Sequence, residues 1–146
     1  MDLILWRHAE AEDGSPDSAR RLTKHGRDQA RRVAVWLKPR LPKRCEVLVS
    51  PAARAQETAS ALGIRFETNA AVGTSAIAAE IIAAIGWPTR PKAVLIVGHQ
   101  PTLGRVAAAL LSGAEADWHF AKGAVWWLRH VDDETRLFAV VHPKLA

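Results

Sequence analysis

Five consecutive apolar residues, Ala93-Val94-Leu95-Ile96-Val97, run straight into Gly98-His99 and constrain the fold more than any other stretch. A strand that is apolar at every position has both faces covered, as a central strand of a parallel sheet must. Two shorter runs share this character, Leu3-Ile4-Leu5-Trp6 and Val47-Leu48-Val49. Each ends in residues with chemistry: Arg7-His8 after the first, Ser50-Pro51 with Arg54 just beyond the second, His99 after the third. Ligands of open parallel sheets bind outside the carboxyl ends of the strands. Three strand ends therefore deliver Arg7, His8, Arg54 and His99 to one rim. Two arginines and two histidines with no carboxylate among them suit an anion, and a phosphoryl group attacked by one histidine is the reading they favour.

Helical patterns separate the runs. Thr23 is placed to cap a helix to about Leu37, with Ala30, Val33, Ala34, Leu37 and Leu41 on one buried stripe and Pro39 and Pro42 ending it. Arg27, Arg31 and Arg32 then form a solvated face. Ser50 is predicted to cap a second helix with Pro51 at its first position, running to about Leu62 and closed by Gly63. Arg54 falls in the first turn of that helix, where the macrodipole disfavours a cation, and a residue that breaks a local rule points to function. Residues 64–67 read as a short strand. Thr74 or Ser75 is predicted to cap a third helix with Ile77, Ala78, Ile81, Ile82 and Ile85 inward, and Thr102 a fourth that Gly113 ends. The tail reads as two strands, about 123–129 and 135–141, turned over residues 131–134, with Trp126, Trp127, Phe138 and Val140 packing the sheet. A short turn makes the pair antiparallel. The alternation predicts a three-layer α/β/α sandwich, mostly parallel, with an antiparallel C-terminal edge.

Length and composition narrow the class. With 146 residues, 49% of them hydrophobic, one domain spanning 1–146 is expected, with a core that needs no staples. A single cysteine, Cys45, excludes an internal disulfide. No apolar run approaches a membrane span, and no secretory signal is visible, so a cytoplasmic location is expected, with no membrane partner. The net charge of +5 favours anionic substrates or acidic partners. Nucleic acid is not expected, because the basic residues are scattered and no binding motif is present.

Taken together, Leu5-Trp6-Arg7-His8-Ala9-Glu10-Ala11, residues 17–26, Val49-Ser50-Pro51-Ala52-Ala53-Arg54-Ala55-Gln56-Glu57-Thr58-Ala59 and Leu95-Ile96-Val97-Gly98-His99-Gln100-Pro101 resemble the histidine phosphatase superfamily, and within it the short branch of SixA-like phosphohistidine phosphatases. The motifs run in family order over nearly the whole chain. The resemblance implies a phosphoglycerate mutase-like fold, His8 as the phosphorylated nucleophile, and Arg7, Arg54 and His99 as the rest of a catalytic and substrate-binding core. Two positions depart from the wider pattern: Ala9 stands where a glycine commonly follows the nucleophile, and Gln100 stands where the phytase branch carries a proton-donating aspartate. No acid matching that of mutase-like members is evident.

The expected chemistry follows from these residue types. A neutral imidazole is a good nucleophile near pH 7. His8 would take the phosphoryl group and water would release it, splitting one displacement into two. Arg7 and Arg54 offer planar forks to the equatorial oxygens, and His99, protonated by the phosphate's field, would add a donor. Such a set can stand in for metal ions, so no metal or cofactor is expected. A zinc site is disfavoured by the arginines and by the absence of the usual carboxylate or thiolate partners. Without a strong acid the site fits P–N cleavage better than ester cleavage, although Glu10, Glu12, Asp17 and Glu80 are all candidate proton donors. Arg20 reads as an ion-pair partner of Asp17 in preference to a further phosphate contact. His25, His119, His130 and His142 read as surface or packing residues, and Cys45 as no nucleophile. The expected function is removal of phosphate from protein phosphohistidine. The alternatives are a broad small-molecule phosphomonoesterase or mutase-like enzyme, and a silent phosphate-binding module.

Overall fold

The computed structural model describes residues 1–146. The apolar runs become strands β1 (Asp2–Arg7), β2 (Cys45–Val49) and β4 (Ala93–Gly98), joined by a short β3 (Glu67–Thr68) and by β5 (Val125–Val131) and β6 (Glu134–Val141). Helices α1 (Lys24–Leu37), α2 (Ala53–Ser60), α3 (Ala78–Ala84) and α4 (Thr102–Ser112) lie between them. All six strands form one sheet in the order β3-β2-β4-β1-β5-β6. β4 pairs in parallel with both β1 and β2, and β5 and β6 add an antiparallel edge.

The pleat sorts the core into two layers. Ile4 and Trp6 of β1 face α1 and α2 with Leu95, Val97, Val47 and Val49, while Leu3 and Leu5 face α3 and α4 with Val94, Ile96 and Leu48. Every residue of β4 is buried, as its sequence requires. The stripe predicted for α1 is buried from Ala30 to Leu37, and Thr23 caps the helix by accepting from the Gly26 N–H. Gly113 ends α4 in the left-handed region, at φ 82°.

Several boundaries differ from expectation. Ser50 does not cap α2, which begins three residues later with Ala52 at its N-cap and stops at Ser60, before Gly63. β3 is Glu67–Thr68 rather than 64–67, because its pairing with Leu48 and Val49 sets its position. α3 starts at Ala78 with Ile77 as N-cap, not Thr74 or Ser75, and Ile77 is 54% exposed. Thr102 is the first residue of α4 rather than its cap. The hairpin at the edge is tighter than predicted, with only Asp132 and Asp133 in the turn, both at positive φ, which matches the twist of the flanking strands.

Trp127 packs into the core as expected, but Phe138 and Val140 are 53% and 49% exposed. The register breaks between Trp127 and Leu128, which pair with Ala139 and Leu137, so Phe138 bulges out of the ladder. It lies edge-on to Trp127 with the Arg129 guanidinium 3.8 Å above its ring. No helix of the structure is long and apolar enough to cross a membrane.

Candidate active site

The strand order decides what can meet. β2, β4 and β1 are neighbours in the sheet, so residues just beyond their carboxyl ends share one rim. There Arg7, His8, Arg54 and His99 line a single cleft of about 260 Å³. This lies just under the usual size of a pocket for drug-like ligands, roughly 300–1,000 Å³.

His8 is 8% exposed. Its Nδ1 lies 2.7 Å from the carbonyl of Ala9. A carbonyl only accepts, so Nδ1 carries the proton and Nε2 keeps its lone pair. Arg54 Nε, which only donates, points at that Nε2 from 3.3 Å and agrees with the assignment. Ala9 sits in the family's usual glycine position without positive φ, and its N–H donates to Thr58 Oγ1 at 3.0 Å, which holds the turn after β1 against α2.

Arg54 is 5% exposed and spends its other two nitrogens on Asp17, donating to the backbone oxygen at 2.9 Å and to Oδ2 at 3.1 Å. Arg7 donates through Nη1 to the Phe120 carbonyl at 2.6 Å. His99 is 5% exposed; its Nε2 is 2.7 Å from Ser50 Oγ, and its Nδ1 is buried with no partner in the protein. The two imidazole rings are 5.3 Å apart, centre to centre.

Burial is the first cause that pushes His8 down to about 3, helped by the fields of His99, Arg54 and Arg7 and opposed by the bond to Ala9. His99 is pushed down to about 4, again chiefly by burial, then by Arg54, with Asp17 opposing and Arg7 assisting. Both rings are therefore neutral near pH 7. In the free site the surrounding guanidiniums and the loss of water disfavour a third cation at His99; the protonation expected from a phosphate's field belongs to the occupied site. Burial also lowers Arg7 from its usual value.

Of the four acids considered as proton donors, only Asp17 reaches the cleft. Arg20 first and then Arg54 hold its carboxyl below the usual carboxylate range. Glu10 is turned to the start of α1, accepting from Thr23 Oγ1 at 2.9 Å. Glu12 and Glu80 are exposed and away from the cleft. Arg20 does pair with Asp17, at 3.0 Å, and it also lines the cleft. No group of three or more His, Cys, Asp or Glu side chains comes together in a way that could hold a metal ion. Burial pushes the Cys45 thiol up to about 11, and none of His25, His119, His130 and His142 lines the cleft.

Sequence reasoning missed Lys122, Thr74 and Gln100 as cleft residues. The antiparallel edge held the signal for Lys122. A strand antiparallel to β1 starts where β1 ends, and the Gly123 N–H indeed donates to the His8 carbonyl at 3.1 Å. Ser50 was read as a helix cap and instead stands behind His99.

Such a sheet, with two imidazoles and two guanidiniums at the ends of its parallel strands, describes a phosphohydrolase that works through histidine. Residues 3–83, more than half the chain, match the family model of the histidine phosphatase superfamily (branch 1), and the chain belongs to that superfamily. It is 31% identical over 123 residues to the phosphohistidine phosphatase SixA of Escherichia coli (strain K12), covering 77% of this chain and 76% of that protein. It is 33% identical over 126 residues to the phosphohistidine phosphatase SixA homolog of Haemophilus influenzae, covering 75% and 77%. A structure of the protein histidine phosphatase SixA complexed with tungstate superposes with a TM-score of 0.85 at 27% identity, over 99% of this chain and 98% of that one.

Proposed function

We propose that the protein hydrolyses the phosphoramidate bond of phosphohistidine on a protein partner, with His8 as nucleophile. One observation carries the reading: the Nε2 lone pair of His8, its Nδ1 tied to Ala9, faces a cleft walled by Arg7, Arg20, Arg54 and Lys122. Nε2 attacks phosphorus in line, and the P–N bond to the leaving imidazole breaks as that nitrogen takes a proton from solvent. Water then attacks the phosphorus, the P–Nε2 bond breaks, and His8 returns neutral with phosphate released. Arg7 and Arg54 hold the equatorial oxygens, where charge builds up in the transition state. Arg54 must give up its 3.3 Å contact with Nε2 as phosphorus arrives.

The leaving group is chosen by what the cleft lacks. Its one carboxyl group, Asp17, is held ionised by two arginines and is in the wrong state to donate. An alkoxide needs a donor, whereas an imidazole protonated from water does not. A SixA with tungstate, an oxyanion of phosphate-like shape, is the kind of complex this cleft should form. Action in the cytoplasm by the whole chain as one catalytic unit belongs to the same proposal, and a free Cys45 thiol is at home there.

The test is to trap the phosphoenzyme with a labelled phosphohistidine protein. Label should sit on His8, acid-labile and alkali-stable, and vanish in His8→Ala. Acid-stable label, or faster turnover of sugar phosphates than of the phosphohistidine protein, would overturn the proposal.

A further inference from the structure

The bond between Ser50 and His99 leads beyond the core residues to one that acts on them from behind. Ser50 is fully buried and does not line the cleft; its hydroxyl has two neighbours, the Ala52 N–H at 3.2 Å and His99 Nε2 at 2.7 Å. A backbone N–H can only donate, so Ser50 Oγ accepts there. The hydroxyl still has one proton to give and one lone pair to offer.

Two arrangements are open at His99, and they leave different groups unpaired. If His99 Nε2 carried the proton and donated to Ser50, the hydroxyl proton of a fully buried serine would have no acceptor. Nδ1 would also be a buried lone pair without a donor. If Ser50 donates to Nε2, every polar atom of Ser50 Oγ is satisfied and the proton of the ring lies on Nδ1. One group then remains unpaired, a single buried N–H, on a ring that lines the cleft. Unpaired buried polar groups are costly, so the second arrangement is favoured.

We infer that Ser50 is a positioning residue that fixes His99 as the Nδ1–H tautomer, so that a neutral imidazole can donate to a phosphoryl oxygen. The inference rests on the reading of the cleft as a phosphoryl-transfer site. It also gives His99 a way to help without charge: before an anion enters, burial and the fields of Arg54 and Arg7 keep the ring neutral, and a neutral ring meets an oxyanion through the nitrogen that holds its proton. The two histidines are then set alike, each with its proton on Nδ1, one by the Ala9 carbonyl and the other by the Ser50 hydroxyl, yet for opposite tasks. His8 presents its bare nitrogen and His99 its N–H.

Long-range proton–nitrogen NMR of the nitrogen-15-labelled protein at pH 7.5, with and without inorganic phosphate, tests this directly. His99 should show a pyrrole-type Nδ1 and a pyridine-type Nε2 in both samples, and phosphate should move the Nδ1 signal. In Ser50→Ala the Nε2–H form should appear, and phosphoramidate turnover should fall about tenfold, the lower end of the loss seen when a histidine's orienting partner is removed at metal sites. Label should still be trapped on His8. An Nε2–H signal in the wild type, or an unchanged tautomer in Ser50→Ala, overturns the assignment. The wild-type spectrum decides even if the variant does not fold. Failure to trap label on His8 would strike the phosphatase reading and leave the tautomer result standing.

Discussion

Both imidazoles of the cleft resist protonation, His8 down to about 3 and His99 down to about 4, and this links the site to the stability of the whole protein. An unfolded chain binds protons on the same residues near pH 6.5. Between pH 6.5 and those lowered values the unfolded state holds more protons than the native one, so stability falls as the pH falls. At pH 5 each ring accounts for a loss of about 2 kcal/mol. Urea unfolding should therefore show several kcal/mol less stability at pH 5 than at pH 7, and His8→Asn with His99→Asn should remove most of that difference. A flat profile across this window would contradict the buried, neutral rings. Arg54 supports a second prediction. Arg54→Ala should cost about 10²–10³ in turnover, and Arg54→Lys should not restore it, because an ammonium lacks the planar fork. Asp17 supports a third. Asp17→Asn removes the one negative charge of the cleft but keeps the backbone oxygen that Arg54 uses. Inhibition by inorganic phosphate should tighten by up to about fivefold, the limit for a screened surface charge, with phosphoramidate turnover retained. A collapse of turnover would instead make Asp17 the missing proton donor.

Among the elements, α4 is tied to the site through the segment that follows it. A Cβ on Gly104 would lie 1.9 Å from the Trp118 carbonyl. Two residues further on, the Phe120 carbonyl holds Arg7, and Lys122 reaches the cleft. Gly104→Ala should destabilise the protein by at least about 1–3 kcal/mol, as overpacking does. Because the segment must move, it should also weaken phosphate binding; thermal melts and phosphate inhibition measured on the same sample check both. The elements themselves were legible in the sequence wherever apolar period decided them: β1, β2, β4 and the buried face of α1. Their starts were misread at the rim, where two of the supposed caps have long-range partners. Ser50 and Thr102 have side chains that would cap a helix anywhere else. Here Ser50 is drawn to His99, and the Thr102 hydroxyl donates to the Ala76 carbonyl at 3.2 Å. Thr74, another supposed cap, lines the cleft. Local capping rules lose where long-range pairing offers the same hydroxyl a partner, and no pattern of neighbours in sequence reveals such a partner. Arg7, His8, Arg54 and His99 were legible because each follows or soon follows an apolar run. Lys122 was not, because it precedes its strand.

Over the whole molecule, four cationic side chains face one carboxylate in the cleft, and the chain carries a net +5. An oxyanion should therefore bind the native state alone and stabilise it. At one hundred times its dissociation constant, phosphate or tungstate should add about 2.7 kcal/mol, raising the melting temperature by roughly 5–10 °C for a chain of this size. The gain should shrink with added salt, as screening requires; no shift at saturating anion would contradict the cleft as drawn. The sheet order has a further consequence, for the protein's birth on the ribosome. β1 has only β4 and β5 as neighbours, and β2 only β3 and β4. A nascent chain that has grown to residue 90 thus carries His8 just past β1 and Arg54 in the helix after β2, while the two strands themselves share no ladder until β4 enters between them. The strand that brings His99 is also the wedge that locks the other two into register. Unfinished polypeptide lacks both His99 and the strand that sets β1 beside β2, so hydrolysis should begin only once late-emerging residues have taken their place between early ones.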